Sequence, residues 1–382
     1  MWIRASLVCV MTLALGSASA NGSGDRTEVT PDELLAGAPL GVAQDSPAPI
    51  DDEEVLAVSA EMRSFLDEHV DRRFSDYIKL HELAYAILNQ RTFGLEYDET
   101  TRTASETFRL RRGNCLSFST MFVAMAREVG LDVQFQEVDI PPDWTYRNDA
   151  FILNRHVNVR VDLASAEDQV VDFNIQDFRT TYDRRTISDI RALAHYYNNM
   201  GVERMQAGDT ALALVYFRKA IVENDRRFAP AWTNLGTLYM RQGLPAYAEA
   251  AYLQAVKVNP GDYVAMSNLG NLYELQGDPG RAETFQKKVV RHRNQNPYYR
   301  YQRAREAFLA RDYDAAIGHL KYAIRKRRQE DQFYFLLGLS YLQKGNEEAA
   351  RRSLAKAEEV AATDSLKRNY SNKIDMLLSE PN

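Results

Sequence analysis

The chain has 382 residues, of which 45% are hydrophobic and 26% are charged, and its formal net charge is −6. This is the composition of an ordinary globular protein that is long enough for two or three domains. The mildly acidic balance excludes a general electrostatic attraction to nucleic acid or anionic lipid, so we expect no nucleic-acid partner.

The first 20 residues have the pattern of a secretory signal peptide. Arg4 is followed by an apolar run from Leu7 to Leu15, and small residues close the segment at Ala18-Ser19-Ala20. The run is too short for a permanent transmembrane helix. No other stretch has the roughly 18 consecutive apolar residues that such a helix needs. We therefore expect a cleaved signal peptide over residues 1–20, a periplasmic or secreted protein, and no membrane span.

Residues 21–50 are rich in Gly, Ser, Asp and Pro and show no clear apolar period. This pattern predicts a flexible tether, and a removable pro-segment is the open alternative. Residues 52–91 are predicted to be helical in two segments divided near Asp71. We take them as the start of a folded domain over residues 51–190.

Cys115 is the only cysteine outside the predicted signal peptide. A capping box at Thr103-Ala104-Ser105-Glu106 predicts a short helix, and a second helix is predicted from Asn114 or Cys115 to Val129. Cys115 would then lie in a first helical turn, where free N–H groups and the helix dipole favour a thiolate and can hold an oxyanion. The alternative is an inert cysteine packed in a core.

The period then changes from helical to that of strands. Residues 133–138, 156–163 and 169–173 are predicted to be short strands. The middle one alternates strictly, with His156 at its start on the side opposite the valines. Asp172 lies in the last one. A helix followed by antiparallel strands predicts an α+β domain.

Cys115, His156 and Asp172 follow one another in the order of a thiol nucleophile, a general base and an orienting acid. The stretches Gly113-Asn114-Cys115, His156-Val157-Asn158-Val159 and Val171-Asp172 resemble the transglutaminase-like superfamily of papain-like thiol enzymes, over roughly residues 75–175. The resemblance implies that Cys115 is the nucleophile, His156 the general base and Asp172 the orienting acid. Zinc-ligand spacing and phosphate-binding glycine loops are missing from the sequence, so we expect no metal and no cofactor.

Two positions depart from the animal transglutaminases. Leu116 follows the cysteine where they carry Trp, and Asn158 stands where Trp is common two residues after the histidine. The chain looks more like the bacterial, protease-like branch of the superfamily. Asp162 rivals Asp172 for the role of the acid. Tyr97 is a candidate oxyanion side chain beside the backbone N–H of Cys115.

The C-terminal half contains an internal repeat. Small residues recur at steps of 35, 34, 34 and 34 residues, by subtraction, and an alanine follows each after 12 residues. These pairs are Gly201 with Ala213, Gly236 with Ala248, Gly270 with Ala282, Ala304 with Ala316, and Gly338 with Ala350. The period and the small and aromatic positions resemble tetratricopeptide repeats (TPRs), helix–turn–helix units of 34 residues. We predict five TPR-like repeats over residues 191–362, and a capping helix and tail over residues 363–382.

A TPR solenoid presents a concave groove that binds peptides or partner proteins. The candidate groove residues are Asn199, Asn234, Asn268 and Tyr273, because an amide or hydroxyl can pair with a peptide backbone.

The predicted fold is thus an α+β transglutaminase-like domain followed by an all-α TPR solenoid. The predicted function is an exported thiol-dependent acyl-transfer enzyme of the peptidase or amidase type, acting on peptide or protein amides. Its repeats would recruit a substrate or partner. The alternative is a catalytically inactive scaffold with the same two domains. Substrate identity, hydrolysis versus transamidation and oligomeric state are left open.

Overall fold

The computed structural model describes residues 29–43, 45–89, 91–139, 144–147, 150–153, 156–163, 167–173, 183–361, 367–368 and 370–372. In these residues a mixed α/β region comes first and a helical array follows, which confirms the predicted fold class. The predicted signal peptide lies outside the described residues, as does most of the predicted capping helix. No helix among the described residues is long and apolar enough to cross a bilayer.

The segment before the first domain begins with a short helix, α1 (Pro31–Ala36), followed by a 3₁₀ turn over Ala38–Leu40. A capping box starts α1, because the Thr30 side chain accepts a hydrogen bond from the backbone of Glu33 and the Glu33 carboxylate accepts one from the backbone of Thr30. Such a reciprocal cap satisfies two backbone donors that a helix start leaves open.

The helix α1 packs against the repeats instead of extending into solvent. Leu34 and Leu35 are buried. The hydroxyl of Tyr239 donates to the Leu34 carbonyl at 2.5 Å, and the guanidinium of Arg218 donates to the Leu35 carbonyl at 2.8 Å. The expectation of a flexible tether over residues 21–50 is therefore wrong for the described part of that segment. The capping box and the burial of Leu34 and Leu35 give this segment a defined structure, although its Gly, Ser and Pro content favours disorder.

The mixed region then places helices around one central helix, α6, in which every residue from Leu116 to Ala126 is buried. A helix that is buried all round belongs to the core of its domain. The elements up to this helix are α2 (Asp52–Val55), α3 (Ala60–His69), α4 (Asp76–Leu88), β1 (Glu96–Tyr97), α5 (Ala104–Leu110), β2 (Arg112–Gly113) and α6 (Cys115–Glu128).

The remaining strands are β3 (Asp132–Val138), β4 (Trp144–Arg147), β5 (Ala150–Leu153), β6 (His156–Asp162), β7 (Gln169–Val171) and β8 (Arg184–Ile187). Among the described residues, the main sheet has four strands in the order β7-β6-β3-β8, with antiparallel neighbours. Separately, β4 pairs antiparallel with β5, and β1 pairs in parallel with β2.

The helical array consists of paired helices that repeat down the chain. The pairs are α7 (Asp189–Gln206) with α8 (Thr210–Lys219), α9 (Ala229–Arg241) with α10 (Pro245–Val258), α11 (Tyr263–Leu275) with α12 (Pro279–Gln295), α13 (Pro297–Leu309) with α14 (Tyr313–Lys326), and α15 (Asp331–Gln343) with α16 (Glu347–Val360). A π-helical turn over Ala220–Asn224 extends α8.

The aligned small residues let the two helices of a pair approach closely. A methyl group added at Gly201 would lie 2.5 Å from the ring of Phe217, and one at Gly236 would lie 2.6 Å from the ring of Tyr252. The third pair is looser, since the atom facing Gly270 is Cγ of the flexible Gln286, at 3.1 Å. The contact is less crowded because Gln286 stands where the first two pairs have an aromatic ring.

We expect Gly236→Ala to destabilise the array by about 1–3 kcal/mol, because the added methyl group overlaps a buried aromatic ring. Gly270→Ala is the matched control. Its methyl group meets a side chain that can move, and alanine favours a helix by up to about 1 kcal/mol over glycine. Thermal denaturation followed by circular dichroism compares the two variants. Equal melting temperatures for them would contradict this account of the repeat contacts.

The buried apolar residues fall into two clusters within the described chain. One is continuous from Leu34, through the mixed region, to Ala282 in the third helix pair. The other begins at Tyr298 and ends at Leu337, in the fourth and fifth pairs. The first repeats therefore share a core with the mixed region, and the last repeats have their own.

Candidate active site

Cys115 is the first residue of α6, as the sequence predicts. The residue before it, Asn114, caps the helix, since its side-chain oxygen accepts a hydrogen bond from the backbone N–H of Ser117 at 2.9 Å. Cys115 itself is partly exposed. The residue therefore lies at the positive end of a buried helix and is partly reached by solvent.

His156 is the first residue of β6 and pairs with Val138 across the sheet. The alternation along β6 agrees with the sequence prediction, but in the first half of the strand both faces are buried, and only Arg160 and Asp162 reach solvent. His156 is 5% exposed and Val157 is 2% exposed. The polar side of this strand thus forms the interior wall of a site instead of a solvated surface.

Asp172 follows directly after β7, and its carboxylate faces the His156 ring. The ring atom Nε2 lies 2.8 Å from Oδ1 and 2.7 Å from Oδ2 of Asp172. The amide Nδ2 of Asn158 donates to Oδ2 at 2.8 Å. The rival carboxylate of Asp162 lies at the other end of β6, half-exposed and 3.9 Å from Arg160. Geometry therefore selects Asp172 over Asp162 as the partner of the imidazole.

The charged form of His156 is strongly favoured. Burial of the ring opposes its charge, but the hydrogen bond to Asp172, followed by the hydrogen bond and charge of Cys115, raises the pKa of His156 to about 10. Cys115 thus acts electrostatically on a ring that Asp172 holds by hydrogen bonds. Because Nε2 contacts the carboxylate, Nδ1 is the ring atom left for a thiol partner. The arrangement is the one that a thiol, an imidazole and a carboxylate need to act together.

Tyr97 lies close to the Cys115 helix along the chain's fold. It pairs with Gly113 in the short β1–β2 ladder, two residues before Cys115, and its side chain is exposed. Desolvation, and then the charge of Cys115, raises the pKa of its phenol. The hydroxyl is thus a protonated donor at neutral pH, as an oxyanion contact requires. Its role stays a prediction.

Asn158 is the functional contact that the sequence reasoning missed. In the sequence it stands out only as a departure from Trp, yet its amide donates a hydrogen bond to the carboxylate of Asp172. Its place beside His156 could have been predicted, because residues two apart on a strand share a face. Its side-chain oxygen and that of Gln136, directly opposite on β3, are buried without a hydrogen-bond partner among the described residues.

The predicted groove residues have different environments. The Asn234 amide donates to Asn198 at 2.8 Å, so Asn198 and not Asn199 is its partner. Asn268 is 6% exposed, and its amide nitrogen has no partner in the described chain. Tyr273 is buried and donates to Glu249 of α10 at 2.8 Å, so it serves packing between repeats.

Two family models match separate parts of the chain. The transglutaminase-like superfamily matches residues 65–167, which include Cys115 and His156. Asp172 lies five residues beyond this match, by subtraction. The tetratricopeptide repeat family matches residues 233–297 and 301–365, which contain the second to fifth helix pairs almost entirely. The first pair, α7 with α8, lies outside both matches.

Individual relatives match parts of the chain. Anaphase-promoting complex subunit 3 of Schizosaccharomyces pombe is 27% identical over 127 residues, which are 33% of this chain, and the chain spans only 19% of the length of that protein. Among solved structures, MamA has a TM-score of 0.25 at 21% identity, covering 44% of this chain and 91% of MamA. YrrB, described as a TPR protein with an unusual peptide-binding site, has a TM-score of 0.25 at 19% identity, covering 47% and 92%.

The matched residues and the described architecture agree in order and in kind. The chain therefore contains a domain of the transglutaminase-like superfamily over residues 65–167, followed by tandem tetratricopeptide repeats over residues 233–365.

Proposed function

We propose that this protein is an exported thiol enzyme that transfers acyl groups from peptide or protein amides, of the peptidase or amidase type. The observation that carries the proposal is the hydrogen bond between the buried His156 ring and Asp172, together with a cysteine at a helix start that acts electrostatically on the same ring. The repeats suggest protein or peptide binding, and we propose that they recruit the substrate or a partner. Export to the periplasm or the cell exterior rests on the pattern of residues 1–20 alone.

The site chemistry follows from the positions of three side chains. The Cys115 thiolate attacks the amide carbon, and the Cys115 backbone N–H at the helix start stabilises the resulting oxyanion. His156, protonated at Nδ1, donates that proton to the leaving amine as the carbon–nitrogen bond breaks. A thioester on Cys115 remains. Water or a second amine, deprotonated by the now neutral His156, attacks the thioester and releases an acid or a new amide together with the thiolate.

Replacement of Cys115 by Ala tests this proposal. Hydrolysis is measured with fluorescein-labelled casein, and transamidation by the incorporation of dansylcadaverine into dimethylcasein. In parallel, iodoacetamide is added to the native protein at neutral pH, and the modified residue is identified by mass spectrometry. We expect the wild type to turn over at least one of these substrates and the variant to turn over neither. We also expect iodoacetamide to modify Cys115 rapidly in the native wild-type protein.

Two results would overturn the proposal. One is amide turnover that Cys115→Ala leaves unchanged. The other is a Cys115 that reacts with iodoacetamide only after the protein is unfolded. The first result would assign the turnover to groups other than Cys115. The second would leave the alternative of a catalytically inactive scaffold, in which the first domain retains its fold and the repeats bind partners. A matched fold control is the far-ultraviolet circular dichroism of both proteins.

A further inference from the structure

A short loop, residues 98–103, holds the start of the α6 helix. The backbone N–H of Asp98 donates to the Gly113 carbonyl at 3.1 Å, and that of Asn114 donates to the Thr100 carbonyl at 3.3 Å. The N–H of Arg102 donates to the Ser117 hydroxyl at 2.9 Å. The loop thus contacts residues on both sides of Cys115, and its position sets where the first turn of the helix begins.

The capping side chain of Asn114 is fixed from both ends. Its oxygen accepts from the backbone N–H of Ser117 at 2.9 Å and from the Ser117 hydroxyl at 3.0 Å. Its nitrogen donates to the hydroxyl of Thr101 at 2.8 Å, and both residues are buried. Because these contacts use oxygen and nitrogen separately, they fix the orientation of the amide. The cap of the Cys115 helix therefore depends on the position of Thr101.

Thr101 is held in turn by a residue of the repeat array. The backbone N–H of Thr101 donates to Oε1 of Glu203 at 2.7 Å, across 102 positions of sequence. Glu203 lies on α7, the first helix of the first pair. Desolvation by its surroundings raises the pKa of this carboxyl, whereas the hydrogen bonds from Thr101 oppose the shift. A carboxyl group in such a place is costly to bury unless it is hydrogen-bonded.

We propose that Glu203 is a positioning residue for the nucleophile, acting through Thr101 and Asn114 on the first turn of the helix that carries Cys115. The first repeat helix is then part of the scaffold of the active site and not only a recruiting surface. This inference rests on the proposed thiol chemistry. It implies that the transglutaminase-like domain needs α7 to present Cys115 correctly.

Three variants of the full chain separate this role from a general loss of stability. Glu203→Ala removes the acceptor for Thr101, whereas Glu203→Gln keeps a carbonyl oxygen in its place. Asp189→Ala is the matched control, because Asp189 is another carboxylate of α7 and pairs with Arg127 of α6 at 2.7 Å, away from the cap. For each protein, the rate of Cys115 alkylation by iodoacetamide is measured from pH 5 to pH 10, together with the melting temperature.

We expect Glu203→Ala to slow alkylation at neutral pH by about fivefold, the effect of losing one hydrogen bond of ordinary strength. Glu203→Gln is expected to restore the wild-type profile, and Asp189→Ala to leave it unchanged even where it lowers the melting temperature. If the wild type reacts rapidly and Glu203→Ala has the same profile, the positioning role is wrong and the thiol chemistry stands. A native wild type that fails to react would instead overturn the proposed function.

Discussion

Replacement of Asp172 by Asn is expected to lower Cys115-dependent amide turnover by about 10³- to 10⁴-fold while leaving the fold intact. The carboxylate accepts a hydrogen bond from Nε2 of His156 and so leaves Nδ1 to exchange a proton with the thiol. The Asn amide can present an N–H to Nε2, which favours the neutral tautomer with its proton on Nδ1. The substitution also removes the negative charge that stabilises the imidazolium.

Asp172→Asn should also change the pH dependence of turnover, and the structure predicts the direction of that change. The pKa of His156 is raised to about 10, and Asp172 makes the largest favourable contribution. The imidazolium is needed to protonate the leaving amine, so wild-type turnover should fall as the pH rises through about 10. In Asp172→Asn the alkaline limb should move to lower pH, because the charged ring has lost its partner.

Asp162→Asn provides the matched control for this experiment. Asp162 is the rival carboxylate from the sequence, but it is half-exposed and its neighbour is Arg160. We expect its replacement to leave both turnover and pH profile at wild-type values. A loss of turnover in Asp162→Asn comparable to that in Asp172→Asn would show that the identity of the acid has been assigned wrongly.

The sequence predicted the local features of the candidate site well. A capping box at Thr103, a helix start at Cys115 and strict alternation from His156 each depend on a few neighbouring residues. The pairing of His156 with Asp172 beside the Cys115 helix is long-range, and it was predictable only through the resemblance to a known superfamily. Asn158 was missed because the comparison with the family drew attention to what it replaces instead of to the face it shares with His156.

The interface between the domain and the repeats could not be predicted in the same way. Glu203 and Thr101 are 102 positions apart, and neither is part of a sequence pattern. Likewise, composition predicted a tether where Leu34 and Leu35 pack into the array. Such contacts depend on how whole helices and strands pack against one another in three dimensions. The spacing of residues along the sequence does not predict that packing. The repeat period was visible because each unit packs mainly against its sequence neighbours.

Glu137 provides the second large expected effect, in this case on stability. It lies on β3 with its side chain buried, and it accepts hydrogen bonds from Arg191 at 2.6 Å and from His195 at 2.7 Å, both on α7. Arg185 of β8 also contacts it, from a solvent-exposed position. The carboxylate thus joins the main sheet to the first repeat helix.

Glu137→Ala is expected to destabilise this part of the protein by about 2–3 kcal/mol, because it removes the buried acceptor of His195 and one of two carboxylate partners of Arg191, the other being Asp225. Hydrogen exchange of β3 and β6 amides measures the local opening free energy, which suits a chain with more than one core cluster. Arg185→Ala is the control. It removes an exposed partner of the same carboxylate and should cost no more than about 1 kcal/mol. Equal losses in the two variants would contradict a buried ionic contact between the domains.

The same cluster predicts how stability depends on acid. Burial of Glu137 opposes its charge, but the hydrogen bond and charge of His195, together with Arg191, outweigh burial and hold the pKa of Glu137 well below its ordinary 4.5. A carboxyl group with a lowered pKa in the folded state contributes stability above its unfolded pKa and loses it as the pH falls through the folded value. The wild type should therefore lose stability progressively below about pH 4.5, and Glu137→Gln should lose less over the same range. Because Gln cannot titrate, the difference between the two acid titrations isolates the contribution of this one group that joins the sheet to the repeats.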